Sequence, residues 1–249
     1  FYGLTKLKWA EIEDSVTSIA YSAFYNCTAL KRVKLSEKLK SIDHMAFEYC
    51  SALEEISFPE SITTIGWEAF CNCTSLKSIN IPRNLNKCAK FAFEGCHNLR
   101  VIYIEDLLQW LNMEEWPSFS SPSLPDSETD FEYYIGDKAL ENLVIPQEVT
   151  RIRKEAFIHG HNIKKVTFHE NIEYIDQEAF SDCDNLELAN DKLPNYLKSI
   201  GYDAFQNCKK IPKIGIPSSV VNIGSGAFRN CSGLKQCVFA EDIQIDNIS

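Results

Sequence analysis

The dipeptide Ala-Phe returns at a fixed interval along this chain of 249 residues, and no other feature limits its possible folds as much. The phenylalanines are Phe24, Phe47, Phe70 and Phe93, each 23 residues after the last, then Phe157, Phe180, Phe205 and Phe228, with Phe1 one period before Phe24. Other positions keep step with them. Three residues after the anchor stand Cys27, Cys50, Cys73, Cys96, Cys183, Cys208 and Cys231, and six after it Leu or Ile, from Leu30 to Leu234. Nine and eleven after it come apolar pairs such as Val33 and Leu35, Ile79 and Ile81, or Ile102 and Ile104. Five before it stands Ile in most units, as in Ile19, Ile42 and Ile65. One such unit holds too few apolar groups to close a core by itself, whereas stacked units share a continuous one. Each period is therefore one coil. The apolar pair at spacing two reads as a short strand with that face inward, and equivalent strands of successive coils pair in parallel. The Ala-Phe segment, flanked by Gly66 and Gly224 in two units, predicts a tight turn or short helix on the opposite wall.

The units "LEEISFPESITTIGWEAFCNC" and "LKSINIPRNLNKCAKFAFEGC" closely resemble the BspA-type, or LRR_5, class of leucine-rich repeats. The resemblance covers nearly all of the chain outside one insertion. It implies an α/β repeat fold, a leucine-rich-repeat solenoid with short parallel strands on one wall and tight turns or short helices on the other. It also implies a secreted or surface-attached protein, of host-associated bacteria or protozoan parasites, that adheres to host or microbial proteins.

Between Phe93 and Phe157 the period is broken by 41 extra residues. Residues 1–104 and 142–249 read as coils, 105–141 as the insertion, and the whole as one continuous solenoid domain. The insertion groups Leu107, Leu108, Trp110 and Leu111 at helical spacing, continues through a Pro/Ser-rich loop, and ends in a hairpin about Gly136-Asp137. Its aromatics Trp110, Trp116, Phe119, Tyr133 and Tyr134 are too many to leave in water, so they form either a local mini-core or a platform for carbohydrate. The Phe180 to Phe205 interval of 25 predicts a two-residue bulge near Asp191 to Asn195.

Ten cysteines would suit a disulfide framework, but seven of them share one repeat position and so form a column of parallel side chains, which suits packed thiols better. Cys88 and Cys237 fall at inward offsets and are expected to be buried; Cys71 is expected to be the most exposed thiol. The pair Cys71 and Cys73 has no matching second pair, and His159 and His161 have no third imidazole nearby, so no metal site is expected and no cofactor is implied. No nucleophile elbow, phosphate-binding glycine loop or His-Glu-x2-His motif is present, so catalysis is not expected. The formal charge of −10 disfavours nucleic acid as a partner, and no apolar run is long enough to span a bilayer as a helix. The sequence opens at Phe1 with neither an initiator Met nor a charged-then-apolar leader, so any secretion signal is expected to have been removed or to lie upstream, and both ends fall inside a repeat.

Function is then expected on the outward strand face, whose row reads Arg32 and Lys34, Glu55 and Ser57, Ser78 and Asn80, Val101 and Tyr103, and after the insertion Lys165 and Thr167. Val101 and Tyr103 are apolar for an outward place and need cover from the insertion or from a partner. A monomeric, non-enzymatic protein-binding module is the leading expectation. A structural spacer displaying other domains, and carbohydrate binding through the insertion, are the alternatives.

Overall fold

The computed structural model describes residues 1–115, 117, 130–244 and 247–248, the last pair by backbone alone. The chain forms two compact units. One comprises Phe1–Thr129 with Tyr134–Asp137, the other Asp130–Tyr133 with Lys138–Ser249.

In the first unit the strand Trp9–Glu11 pairs in parallel with Arg32–Lys34, Arg32 bridges to Glu55, and Ser78–Ile81 pairs with Val101–Ile104. The registers Trp9 to Arg32 and Ser78 to Val101 are one period long, as the repeat requires. A second parallel ladder stands five to six residues before each anchor, through Ser18–Ile19, Ser41–Ile42, Thr64–Ile65 and Lys87–Cys88. The sequence reading placed one strand in each coil and missed this one, because two residues are too short to show an alternation.

The second unit repeats the arrangement. Asn142–Val144, Lys165–Thr167 and Glu187–Leu188 pair in order, as do Lys213–Ile216 and Gln236–Phe239. The second ladder runs through Arg151–Ile152, Tyr174–Ile175, Ser199–Ile200, Asn222–Ile223 and Asn247–Ile248. The departure from the period falls between Leu188 and Leu193: Leu188 pairs with Val166 one place early, three extra residues follow before Leu193, and the interval is two longer in net. There a turn passes through Asp191 at φ 54°, Lys192 bridges to Gly215, and buried Leu193 donates to the Gly215 carbonyl from the place where other coils carry their second inward residue.

The wall that carries Ala-Phe is made of turns, with no helix among its described residues. In most coils the residues two before and two after the anchor sit in the left-handed region, as Ser22 and Asn26, Met45 and Tyr49, or Glu68 and Asn72 do at φ 51–61°. This conformation is unfavourable for residues other than Gly, Asn and Asp, so hydrogen bonds between coils must fix it. Met45 N donates to the Trp67 carbonyl at 3.0 Å, Phe47 N to Ala69 at 2.7 Å, and Tyr49 N to Cys71 at 2.9 Å. Gly66 is not one of these left-handed residues. It is glycine because a Cβ there would lie 2.7 Å from the His44 backbone nitrogen of the preceding coil.

The interior follows the repeat. The rings of Phe1, Phe24, Phe47, Phe70 and Phe93 stack with centroids 5.0–5.4 Å apart and planes within 11°. In the second unit Phe157, Phe180, Phe205 and Phe228 stack at 5.4–5.6 Å. These separations approach the roughly 4.8 Å between paired strands, so ring and backbone stack on one repeat. All ten cysteines are free thiols. Those of the column each donate to the carbonyl of the previous anchor, as Cys50 to Phe24 at 3.1 Å, Cys73 to Phe47 at 3.2 Å and Cys183 to Phe157 at 3.0 Å. A small apolar residue with a weak donor suits a dry position that faces a carbonyl.

Two cysteine expectations are corrected. Cys71 is 6% exposed, since the equivalent Glu48 and Glu94 of the adjoining coils stand over and under it. Cys237 is exposed even though it occupies an inward offset, because Gln236–Phe239 pairs only with Lys213–Ile216 and no further described strand covers it.

The insertion begins with the helix Leu107–Asn112, whose Asp106 side chain accepts from Gln109 N at 2.9 Å as an N-cap. It closes over the last coil of the first unit. Gln109 Nε2 donates to the Leu85 carbonyl, Glu114 N to Asn86, and Glu115 bridges to Lys87, which extends the second ladder by one place. Trp110, Leu111 and Met113 are buried. The expected hairpin is present as Glu132–Ile135 and Lys138–Ala139 about Gly136, which sits at φ 55°.

Near this coil a carboxyl pair gives the first unit a pH response. Glu105 has one buried oxygen, Oε2, without a described partner; burial first, and then the facing Glu60, raise its carboxyl to about 7, against an opposing effect of Arg83. A carboxyl raised on folding holds more protons in the native state, so stability falls as pH rises from about 4.5 toward 7. Thermal melts across this range are expected to show the fall, and Glu105→Gln is expected to flatten it. An unchanged slope in that variant would refute the assignment.

Candidate protein-binding face

The outward row of the first unit forms a shallow depression of about 420 Å³ lined by Trp9, Arg32, Lys34, Glu55, Ser57, Ser78, Asn80 and Tyr103, with Val33, Ile56 and Ile79 as its floor. Alternation puts these polar and aromatic side chains outward, opposite the buried Val33, Ile56 and Ile79. Trp9 and Tyr103 stand at its two ends, 56% and 37% exposed. Four strand spacings of roughly 4.8 Å separate them, about 19 Å.

Between these ends the charges are internally matched. Arg32 Nε lies 3.0 Å from Glu55 Oε1, and Lys34 Nζ lies 2.6 Å from Glu11 Oε1. All four side chains are exposed, so water screens both pairs, they add little to stability, and their groups can turn to a partner at little cost. The face therefore offers both signs of charge and no single-sign field.

Asn80 has a different task. Its Oδ1 accepts from Phe58 N and its Nδ2 donates to the Phe58 carbonyl, both at 2.8 Å, supplying bonds to a coil that forms no regular strand of its own. Asn162 treats Tyr133 alike in the second unit, at 3.0 and 2.7 Å. Asn80 thus holds the floor of the depression in place.

Of the residues predicted for this face, Arg32, Lys34, Glu55, Ser57, Ser78, Asn80 and Tyr103 come together in the depression. Val101 is half-buried beside them, paired with Ser78. Lys165 and Thr167 belong to the second unit, on the strand that pairs with Asn142–Val144 and Glu187–Leu188. Part of the cover expected for Tyr103 comes from the insertion, since Tyr134 sets its ring 5.2 Å away. Trp110 and Tyr133 are fully buried and present no ring face to a ligand. Tyr133 donates its hydroxyl to the Ile158 carbonyl at 3.0 Å and meets Phe157 edge-on at 5.8 Å. Trp116 and Phe119 lie outside the described residues. The sequence reading missed Trp9 and Glu11, although Trp9 lies eight residues after Phe1, at the same outward offset as Arg32.

Stacked coils of one period, with two parallel ladders and a column of stacked rings in each unit, define a leucine-rich-repeat solenoid. Residues 1–116 and 127–248 match the BspA type leucine rich repeat region in six copies, and the chain belongs to that family. Among solved structures, the pneumococcal vaccine antigen PcpA is 19% identical over 95% of this chain and 63% of its own, with a TM-score of 0.59. A leucine-rich repeat protein from Eubacterium ventriosum is 20% identical over 96% of this chain and 68% of its own, with a TM-score of 0.50. A leucine rich cell surface protein from Faecalibacterium prausnitzii is 25% identical over 98% and 83%, with a TM-score of 0.45. No curated protein matches the chain. No helix among the described residues is long and apolar enough to cross a membrane.

Proposed function

We propose that this repeat module binds another protein through the face of its first unit, as a non-enzymatic adhesion element of a secreted or surface-attached protein that engages host or microbial proteins. The observation that supports this most is the pair of exposed aromatics, Trp9 and Tyr103, about 19 Å apart across a rigid floor with Arg32 between them. Trp, Tyr and Arg are the residue types on which interface energy concentrates. A floor fixed by parallel ladders and by the Asn80 amide loses little freedom when a partner lands, so less of the contact energy is spent on ordering. The extracellular setting rests on family membership.

The test is a binding screen of the intact chain against immobilised matrix and plasma proteins and bacterial surface proteins, run beside the double variant Trp9→Ala and Tyr103→Ala. At least one ligand is expected to bind above background and to lose about tenfold or more in affinity with the variant, corresponding to about 1.4 kcal/mol. Binding to none of the panel would leave the structural-spacer reading in its place. Binding that the double variant leaves unchanged would move the interface to another face.

A further inference from the structure

The turn wall of the first unit gathers negative charge that nothing among the described residues neutralises. Directly after successive anchors stand Tyr25, Glu48, Cys71 and Glu94, and Glu68 lies two residues before Phe70. Stacking brings these together: one ligand atom each from Glu68, Cys71 and Glu94 lie within 4.8 Å of one another. Elsewhere in the same unit five glutamates are paired, Glu11 with Lys34, Glu54 with Lys31, Glu55 with Arg32, Glu60 with Arg83 and Glu114 with Lys87. Glu48, Glu68 and Glu94 have no such partner among the described residues.

Glu48 is the independent observation. Its side chain is 7% exposed, and its carboxylate has no described hydrogen-bond donor or cation. The charged and polar groups near it are Glu68, whose charge acts on it, and the Cys71 thiol, on which its own charge acts. A largely buried glutamate beside another acid and a thiol is costly unless something positive lies among them.

We propose that Glu68, Cys71 and Glu94, with Glu48 beside them, bind a divalent cation of the zinc class. A thiolate with carboxylates suits zinc and excludes calcium and magnesium, which take oxygen alone. Tetrahedral zinc holds its ligand atoms roughly 3.3–3.8 Å apart, so the half-buried Glu68 and Glu94 need only small rotamer changes to close on it. Asn72 Nδ2 donates to Cys71 Sγ at 3.2 Å and orients the sulfur from outside the ligand set. The arrangement is no short motif, since Glu94 comes from the next coil, and the sequence reading weighed only Cys71 with Cys73 and the imidazoles as ligands.

The experiment uses the reduced full chain carrying Cys237→Ser, which removes the exposed thiol, titrated with Zn²⁺ by calorimetry and with Co²⁺ by absorption. One equivalent is expected to bind, with a thiolate-to-cobalt charge-transfer band and a higher melting temperature in the presence of Zn²⁺. Cys71→Ser is expected to abolish the band, and Glu94→Gln and Glu68→Gln to weaken binding at least tenfold; Glu54→Gln, on the opposite wall, is expected to leave it unchanged. Should Cys71→Ser fail to fold, the two glutamine variants, with circular dichroism as the folding control, carry the test. Absence of saturable binding, a band that survives in folded Cys71→Ser, or affinity unchanged in both glutamine variants would overturn the site.

Discussion

Phe70→Ala is expected to destabilise the first unit by about 3–5 kcal/mol, read as a lower urea midpoint, because removing a buried aromatic ring forfeits its transfer energy and leaves a cavity. The ring is fully buried. It stacks on Phe47 at 5.1 Å and on Phe93 at 5.4 Å, and Phe58 meets it edge-on at 5.4 Å. Neighbouring rings cannot slide in to fill the space, since the backbone of each anchor is tied to the next coil by a hydrogen bond: Phe47 N to the Ala69 carbonyl at 2.7 Å, Phe70 N to the Ala92 carbonyl at 2.8 Å. In a stack whose coils touch only their neighbours, the damage should appear first in the adjoining coils. Hydrogen exchange is therefore expected to speed up at Phe47 and Phe70 amides before it does at Ser18–Ile19. The half-buried Phe228, stacked on Phe205 alone, should tolerate alanine with a smaller loss. A cost under about 1 kcal/mol for Phe70→Ala would refute the shared column as the source of stability.

Trp110→Ala is expected to cost a similar amount, about 3–5 kcal/mol, whereas Trp9→Ala, the same change at an exposed position, should stay within about 0.5 kcal/mol. The helix Leu107–Asn112 is six residues long and too short to persist without tertiary contacts. Trp110 and Leu111, both buried, anchor it over the coil of Leu85 and Asn86. With that anchor gone, the segment that brings the Glu115 carbonyl to Cys88 N should loosen as well. Cys88 is then expected to join exposed Cys237 in reacting quickly with a thiol reagent, and a label count unchanged from the parent protein would count against the covering role of the insertion.

Those two side chains differ in how far the sequence revealed them. Phe70 was legible outright: its interval, its Ala69 partner and the cysteine three residues on are repeated, and a repeated apolar position in units too small to fold alone has to be shared interior. Trp110 was legible as an aromatic needing cover, with a local mini-core the favoured reading, but its spacing alone did not exclude a ligand platform. Cys71 and Cys237 show the limit of offset counting. An offset gives the direction of a side chain within its coil, whereas exposure depends on what the coils above and below present at the same place. Glu48 and Glu94 bury the first, and the lack of a described strand beyond Gln236–Phe239 opens the second.

The candidate face was likewise half visible. Alternation named Arg32, Lys34, Glu55, Ser57, Ser78, Asn80 and Tyr103 as outward, but it could not tell that Asn80 spends its amide on the Phe58 backbone or that Tyr134 returns from the insertion to lie beside Tyr103. Both depend on partners that no fixed interval relates.

From the sequence alone came the period, the inward and outward sides of each coil, the column of rings and thiols and the place of the insertion, because all of these follow from which residue types recur at which offset. The tertiary structure decided the rest: the second ladder, the left-handed turns, the closing helix and the meeting of Glu48, Glu68, Cys71 and Glu94. These arise from contacts between coils, where what matters is the distance across the stack, and a linear pattern carries that distance only where every coil repeats it.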